Sequence, residues 1–297
     1  KSCWTVIKSD IMAATQAVWN NNFVNFDKLN SAYITLIPKK EGAEHVKDFR
    51  PISLVHSFGK LITKILANRL ASKLNRLISP NQSAFIKGRF IQDNFMLVQQ
   101  TSRFLHRQKK ASLLLKLDIT KAFDSVSWPF LIEVLAQLGF GQLWRDIICG
   151  LLASSSTQVL LNGFSGRKII HRRGLRQGDP LSPMLFILVM DILALLFTRA
   201  EEAGLLQRLS DRVNLHRISM YADDVVIFLR PSAADISTTL NILDLFGKAS
   251  GLRNNEQKSN VFPIQCPTDD LVLVQNLLPF ERSEFPCKYL GIPLSIS

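Results

Sequence analysis

Three aspartates occupy positions where a protein seldom leaves charge. Asp223 and Asp224 are adjacent within the otherwise apolar stretch HRISMYADDVVIFLR, and Asp118 directly follows the apolar run LLLKL. Burying carboxylates without a partner is costly, and carboxylates that converge raise one another's pKa unless a cation neutralises them. Hard oxygen ligands select Mg²⁺ or Mn²⁺. Two such ions can stabilise both the attacking and the leaving oxygen of a phosphoryl transfer. The aspartates therefore predict a divalent-metal site for nucleotidyl transfer.

Charge and composition narrow the class of protein. The 297-residue chain carries 36 Lys and Arg against 24 Asp and Glu, a net charge of +12. This excess suits a polyanionic partner such as nucleic acid, although a charge that merely keeps the protein soluble is an equal alternative. The four cysteines are scattered without a CxxC pair. That pattern argues against a disulfide framework or a zinc site and fits a reducing, intracellular setting.

The elements that must position the aspartates follow from apolar periodicity. Residues 113–117 predict a buried strand that delivers Asp118 at its end. Residues 217–221 and 225–229 predict a hairpin whose tip, residues 222–224, carries the acidic pair. The three carboxylates converge if these two elements are neighbours in one sheet.

The remaining pattern predicts an α+β fold. Residues 1–110 are basic and mostly helical in period, with one strand at residues 33–37 and a helix over 58–78. After the strand at 113–117, the sequence predicts a helix from Ser127 to Gly139 and a hairpin around Asn162 and Gly163. The apolar run from Leu181 to Phe197 contains Asp191, which favours a buried helix over a membrane span.

The order of motifs resembles a known family. Five stretches follow one another as the palm motifs A to E of a reverse transcriptase do: LKLDITKAFDSVSW, GLRQGDPLSPMLF, YADDVVIF, SGLRNNEQKS and CKYLGIPL. Upstream, ITLIPKK, DFRPISLVHSFGKLITKILANRL and SPNQSAFIKGRFIQDN resemble the fingers of non-LTR (LINE-type) retrotransposons, the kind abundant in plant genomes. The resemblance implies a right-hand polymerase fold, with fingers at residues 1–110 and a palm with interleaved fingers elements at 111–297. The family's thumb would follow the last residue.

The resemblance also implies roles for individual residues. Asp118, Asp223 and Asp224 match the metal-binding aspartates, and the backbone carbonyl of Ile119 would be a further ligand. Lys258 matches the motif D lysine proposed to protonate the departing pyrophosphate, with an ordinary surface lysine as the alternative. Lys288 and Tyr289 match the motif E element that holds the primer strand, although Tyr289 could equally be a core residue of a hairpin.

Four further positions match the nucleotide-binding parts of the family. Arg50 matches a fingers arginine that grips the triphosphate, a task suited to a bidentate guanidinium. Phe123 matches the aromatic gate against a ribose 2′-hydroxyl, with plain core packing as the alternative. Gln177 and Gly178 match the motif B turn beside the templating pair, or form an ordinary turn before a helix.

The implied activity is that of an RNA-directed DNA polymerase. It would use two Mg²⁺ (or Mn²⁺) ions and dNTPs to extend a DNA primer on an RNA template, in the nucleus or a ribonucleoprotein particle, without a membrane. The first alternative is a non-catalytic, nucleic-acid-binding relic or co-opted fold, which the absence of a thumb would favour. The second alternative is a group II intron maturase or another RNA-templated polymerase. Such a protein shares the palm, but the LINE-like fingers sequence argues against it.

Overall fold

The structure, a computed structural model, describes residues 3–210 and 215–296. The helices in this part of the chain are α1 (Trp4–Trp19), α2 (Phe26–Leu29), α3 (Ser57–Leu77), α4 (Ile91–Arg107), α5 (Ala122–Ser125), α6 (Trp128–Gln137), α7 (Gln142–Ala153), α8 (Ser182–Glu202), α9 (Ala233–Ser250) and α10 (Thr268–Leu277). The strands are β1 (Ser31–Pro38), β2 (Phe49–Val55), β3 (Ser112–Leu117), β4 (Ser156–Leu161), β5 (Phe164–Ser165), β6 (Ile169–Ile170), β7 (Ile218–Tyr221), β8 (Asp224–Leu229), β9 (Asn260–Ile264), β10 (Glu281–Arg282), β11 (Cys287–Tyr289) and β12 (Ile292–Leu294).

The chain divides into two compact units, and neither is continuous in sequence. The first comprises the residues up to 72 together with 126–185, and the second comprises 73–125 together with 186 onward. The boundary predicted at residue 110 was placed by the family motifs and not by contacts between elements. The assignment of fingers to residues 1–110 and of the palm to residues 111–297 stays a prediction.

The first unit is built around a sheet of order β2-β1-β4-β5, with β6 also paired to β4. Strands β1 and β2 are antiparallel, and β1 runs parallel to β4. The predicted hairpin around Asn162 and Gly163 is confirmed. Both residues have positive φ, at 50° and 83°, and they connect β4 to β5, as a two-residue hairpin loop requires.

The second unit contains the sheet β10-β9-β3-β8-β7 and the separate hairpin β11-β12. Strand β3 is central and pairs antiparallel with both β8 and β9. The apolar residues of its sequence SLLLKL are all buried, because a central strand covered on both faces needs a continuous apolar run rather than an alternating one. The predicted strand at 113–117 is therefore confirmed. The antiparallel pairing of β7 with β8 confirms the hairpin predicted at 217–229, but its loop is only Ala222 and Asp223, and Asp224 already belongs to β8.

Helix α8 carries the longest apolar run. Among the described residues it is the one helix long and apolar enough to cross a membrane by length and composition. Residues 185–190 on successive faces of the helix are all buried within the protein. This burial confirms the predicted core helix. Together with the sheets, the helices form the α+β architecture that the sequence predicts.

Candidate active site

The antiparallel pairing of β3 with β8 brings two of the aspartates together. Leu117 is the register partner of Val225, so the next step of the ladder sets Asp118 opposite Asp224, the first residue of β8. Directly opposite side chains in an antiparallel pair have Cβ atoms about 5 Å apart. The third carboxylate, Asp223, lies with Ala222 in the two-residue loop between β7 and β8. The three aspartates thus occupy one end of one sheet, as the sequence predicts.

The surroundings of the two hairpin carboxylates raise their pKa values. Asp223 and Asp224 are exposed, yet neighbouring protein atoms displace part of their water, and this desolvation is the largest cause that raises the pKa of both. Repulsion from Asp118 raises the pKa of both further, and Asp223 adds to the effect on Asp224. Lys116 acts in the opposite direction and lowers the pKa of Asp224. The surroundings of Asp223 and Asp224 therefore disfavour the ionised state of these two carboxylates.

Such a cluster fits a divalent cation by its chemistry. All of its donors are carboxylate oxygens, the type that Mg²⁺ and Mn²⁺ prefer, and a cation would offset the repulsion among them. Within residues 3–210 and 215–296, no three His, Cys, Asp or Glu side chains are drawn together closely enough to enclose a metal ion. The structure thus shows the charge coupling of the three aspartates without a closed ligand shell.

The predicted motif D segment lies directly against Asp118. The N–H of Asn255 donates to the Asp118 carbonyl at 2.7 Å, and the N–H of Thr120 donates to the Arg253 carbonyl at 2.9 Å. Neither bond uses the carbonyl of Ile119, the predicted further metal ligand. The N–H of Asp118 donates to Ser259 Oγ at 3.1 Å. Next to Ser259, Lys258 is exposed, and its predicted role as a proton donor stays a prediction.

The predicted motif E element is the β11-β12 hairpin. The Lys288 carbonyl accepts a hydrogen bond from Lys116 Nζ at 2.7 Å, while Lys288 itself is exposed. Tyr289 is buried in the core, where its hydroxyl lies 3.4 Å from Ser219 Oγ, and burial raises its pKa. The position of Tyr289 matches the core alternative that the sequence left open. Its role in binding a primer stays a prediction.

Phe123 lies at the edge of the core, with one part of its ring packed and another part exposed. Its ring stacks on that of Phe186 with centroids 4.5 Å apart and an interplanar angle of 15°. The ring is partly exposed, so it combines the packing alternative with a surface that a sugar could reach. Its role as a gate against a ribose 2′-hydroxyl stays a prediction.

The predicted triphosphate and motif B residues lie in the first unit. Arg50 is an exposed residue of β2 and is paired with Ile37 of β1. Three residues further along β2, the Ser53 N–H donates to the Gln177 carbonyl at 3.1 Å. Gly178 has a φ of +96°, and a Cβ atom there would lie 3.1 Å from the Ser53 carbonyl oxygen. Glycine therefore suits this turn for two reasons: the turn needs a positive φ, and the backbone passes too close to β2 for a side chain.

Sequence reasoning missed several side chains that support these elements. Arg176 and Asp179 flank the motif B turn as a buried ion pair with a distance of 3.6 Å, and Arg176 also donates to the Asn30 carbonyl at 2.8 Å. Their spacing in RQGD was an available signal. Lys116 was also detectable as the one charge inside an apolar strand. Gln82, which binds the turn beside Asp223, carries no local signal because its partner is 140 residues away.

Comparison with known proteins agrees with the motif order. The family profile described as "Reverse transcriptase (RNA-dependent DNA polymerase)" matches residues 37–294. Among curated proteins, the "Transposon TX1 uncharacterized 149 kDa protein" of Xenopus laevis is 32% identical over 229 residues, 77% of this chain and 17% of the relative. A "Retrovirus-related Pol polyprotein from type-1 retrotransposable element R2" of Popillia japonica is 31% identical over 251 residues, 84% of this chain and 34% of the relative.

The chain thus spans about a sixth to a third of the length of these two relatives. The predicted resemblance to non-LTR retrotransposons is confirmed, whereas these frog and insect relatives give no support to the expectation of a plant-type element.

A solved structure confirms the predicted fold. The structure of telomerase from Candida albicans in complex with the TWJ fragment of telomeric RNA superposes with a TM-score of 0.62. The match covers 90% of this chain and 44% of the telomerase chain at 14% sequence identity. At that identity the similarity establishes the polymerase fold alone.

Proposed function

Because the chain belongs to the reverse transcriptase (RNA-dependent DNA polymerase) family, we propose that it adds dNTPs to the 3′-hydroxyl of a DNA primer on an RNA template. One observation carries the proposal: the register of β3 and β8 sets Asp118 opposite Asp224 while Asp223 occupies the adjoining turn. A charge-coupled group of carboxylates at the end of a sheet suits phosphoryl transfer better than any acid–base reaction that needs a single poised group.

Two Mg²⁺ ions are the cofactors that we propose for this site. The residues that would hold them are Asp118, Asp223, Asp224 and the backbone carbonyl of Ile119. The ions would supply charge stabilisation for the attacking and leaving oxygens. The protein's own contribution is to hold the three carboxylates in place against their mutual repulsion, which the ladder of β3 with β8 accomplishes for Asp118 and Asp224.

The incoming nucleotide is assigned to the residues that the family motifs mark. Arg50 would bind the triphosphate with its guanidinium, Phe123 would pack under the sugar, and Gln177 with Gly178 would lie against the base pair. Lys258 would protonate the pyrophosphate, and Lys288 with Tyr289 would form or support the primer-binding element. The exposure of Arg50, Lys258 and Lys288 is compatible with these roles.

The partners and location are proposed from the relatives. Those relatives are proteins of transposons and retrotransposable elements, so the template is proposed to be an element's RNA and the primer a chromosomal DNA end. For the same reason we propose the nucleus or a ribonucleoprotein particle as the location of the protein.

Single-nucleotide primer extension tests the proposal. The chain would be given poly(rA)/oligo(dT), Mg²⁺ and dTTP at low salt, beside a variant carrying Asp223→Asn and Asp224→Asn. We expect incorporation by the wild type and a loss of at least about 10³-fold in the variant, because most charge stabilisation of the transition state would go. Asp10→Asn, an exposed aspartate of α1, is the matched control and should retain full activity.

Two results would count against the proposal. Equal incorporation by the double variant would show that the hairpin carboxylates do not hold the catalytic metal. Salt-sensitive binding of the duplex without incorporation would instead favour the binding relic.

A further inference from the structure

Gln82 lies in a segment that extends the catalytic sheet at its β7 edge. The Met220 N–H donates to the Asn81 carbonyl at 2.8 Å, and the Ser83 N–H donates to the Met220 carbonyl at 3.3 Å. These bonds make residues 81–83 a short parallel partner of β7, with Gln82 opposite Met220. Gln82, which lies between Asn81 and Ser83, is fully buried, with 0% exposure.

The carboxamide of Gln82 binds both backbone polar groups of Ala222. The Ala222 N–H donates to Gln82 Oε1 at 3.0 Å, and Gln82 Nε2 donates to the Ala222 carbonyl at 3.3 Å. Oε1 also accepts from the Ala84 N–H at 3.0 Å. The side chain therefore offers Ala222 the same donor and acceptor that a peptide group of a neighbouring strand would offer. It continues the pairing of β7 past Met220 and into the turn.

The turn needs such a partner for two reasons. Ala222 has a φ of +55°, a left-handed conformation that residues with a side chain rarely adopt. The next residue is Asp223, whose carboxylate is repelled by Asp118. A two-residue loop that is both strained and charged tends to relax unless the surrounding structure holds it.

Asn94 secures the segment that carries Gln82. Its Nδ2 donates to Ser219 Oγ and to the Met220 carbonyl, both at 2.9 Å, and to the Asn81 carbonyl at 3.3 Å. Asn94 belongs to α4 and is buried. The clamp on Ala222 is thus tied to a long helix and to the strand that precedes the turn.

We propose that Gln82 is a positioning residue whose carboxamide fixes the turn that carries Asp223. The inference rests on the proposed polymerase function for its catalytic consequence, and it adds a residue that touches neither metal nor substrate. Without the clamp, Ala222 loses both of its partners, and the Asp223 carboxylate is no longer presented in one place. A displacement of about 1 Å at a reacting group can cost about 10²-fold in rate.

Hydrogen exchange of the hairpin amides measures the clamp directly. Gln82→Met keeps most of the side-chain volume without the hydrogen bonds, and Gln82→Ala removes both. We expect exchange of the Ala222 and Asp223 amides to rise at least about tenfold in both variants, while the amides of β3 and α8 keep their protection. Gln92→Ala, an exposed glutamine of the neighbouring helix α4, is the control and should change neither.

Steady-state kinetics then separates positioning from general stability. In Gln82→Met we expect kcat for dTTP incorporation to fall about 10²-fold, with little change in the KM for dTTP and a higher Mg²⁺ concentration at half-maximal rate.

Three outcomes would overturn the inference: unchanged exchange at Ala222, increased exchange spread evenly over the whole sheet, or an unchanged kcat in an active chain. If the wild type incorporates nothing, the proposed function fails, and the exchange data alone decide whether Gln82 holds the turn.

Discussion

At the scale of single residues, the two aspartates of the hairpin lower the stability of the metal-free protein at neutral pH. Desolvation and repulsion raise the pKa values of Asp223 and Asp224 above the ordinary 3.8 of an aspartate. A carboxyl group whose folded-state pKa is raised favours the folded state when protonated, and this contribution is lost as the pH rises through the folded-state pKa. At neutral pH, without a cation, the two carboxylates therefore destabilise the protein.

Neutralising one of them should stabilise the metal-free protein. We expect Asp223→Asn to raise the melting temperature at pH 7 in EDTA by about 1–3 °C, because the substitution removes a charge that folding disfavours. The gain should shrink toward zero as the pH falls through the raised pKa of Asp223 and below 3.8, because the carboxyl group is then protonated in the folded and the unfolded protein alike. Thermal unfolding followed by circular dichroism at both pH values measures the difference.

Asp10→Asn serves again as the matched control, since it removes an exposed carboxylate outside the cluster. A lower melting temperature for Asp223→Asn at pH 7 would show that Asp223 makes stabilising contacts that outweigh the repulsion.

At the scale of elements, a buried charge network anchors the strand that leads to the turn with Asp223. Arg217 lies just before β7, and its side chain is 3% exposed. It pairs with Glu201 of α8 at 3.2 Å and with Asp235 of α9 at 3.9 Å, and it donates to the Phe228 carbonyl at 3.0 Å. Asp235 in turn accepts the N–H of Gln207 at 3.2 Å. One guanidinium therefore connects two helices to the β7-β8 hairpin.

Removing that guanidinium should be costly. We expect Arg217→Met to lower the free energy of unfolding by about 3–5 kcal/mol, because it leaves the buried carboxylate of Asp235 without its cation. Arg199→Met is the matched control. Arg199 also pairs with a glutamate, Glu202, at 2.9 Å, but on the surface, where such a pair contributes about 0–1 kcal/mol.

Urea unfolding of both variants gives the comparison. Equal losses would mean that the Arg217 network contributes no more than a surface pair does.

At the scale of the whole molecule, the excess of 12 positive charges predicts how nucleic acid binds. A protein that neutralises about six phosphates shows a slope of log affinity against log salt of about −5. We therefore expect affinity for an RNA–DNA duplex to fall about 10³-fold between 50 and 200 mM salt. Fluorescence anisotropy with a labelled duplex measures this slope.

The exposed lysines of α3 provide a test of where the duplex contacts the protein. Lys60, Lys64 and Lys73 are exposed on that helix. If they contact phosphates, changing all three to Gln reduces the slope by about three. An unchanged slope for this triple variant would assign these lysines to a solvated face, the alternative interpretation of the basic charge.

The fold could be predicted from the sequence where the signal is local. The buried strand β3, the β7-β8 hairpin, the core helix α8 and the turn at Asn162 and Gly163 follow from apolar periodicity and turn-forming residues. The motif order of the reverse transcriptase family was readable for the same reason, because each motif is a short continuous stretch. The three aspartates as candidate ligands required nothing more.

Contacts between distant segments were decided by the tertiary structure alone. Lys116 reaches the Lys288 carbonyl across 172 positions, and Gln82 reaches Ala222 across 140. Whether Asp118 stands opposite Asp224 depends on the β3–β8 register, and a shift of one residue would turn the facing side chains away from each other.

A single sequence read locally determines which residues can do chemistry and which elements carry them. Strand pairing and burial, which depend on the packing of the whole chain, determine which of those residues meet.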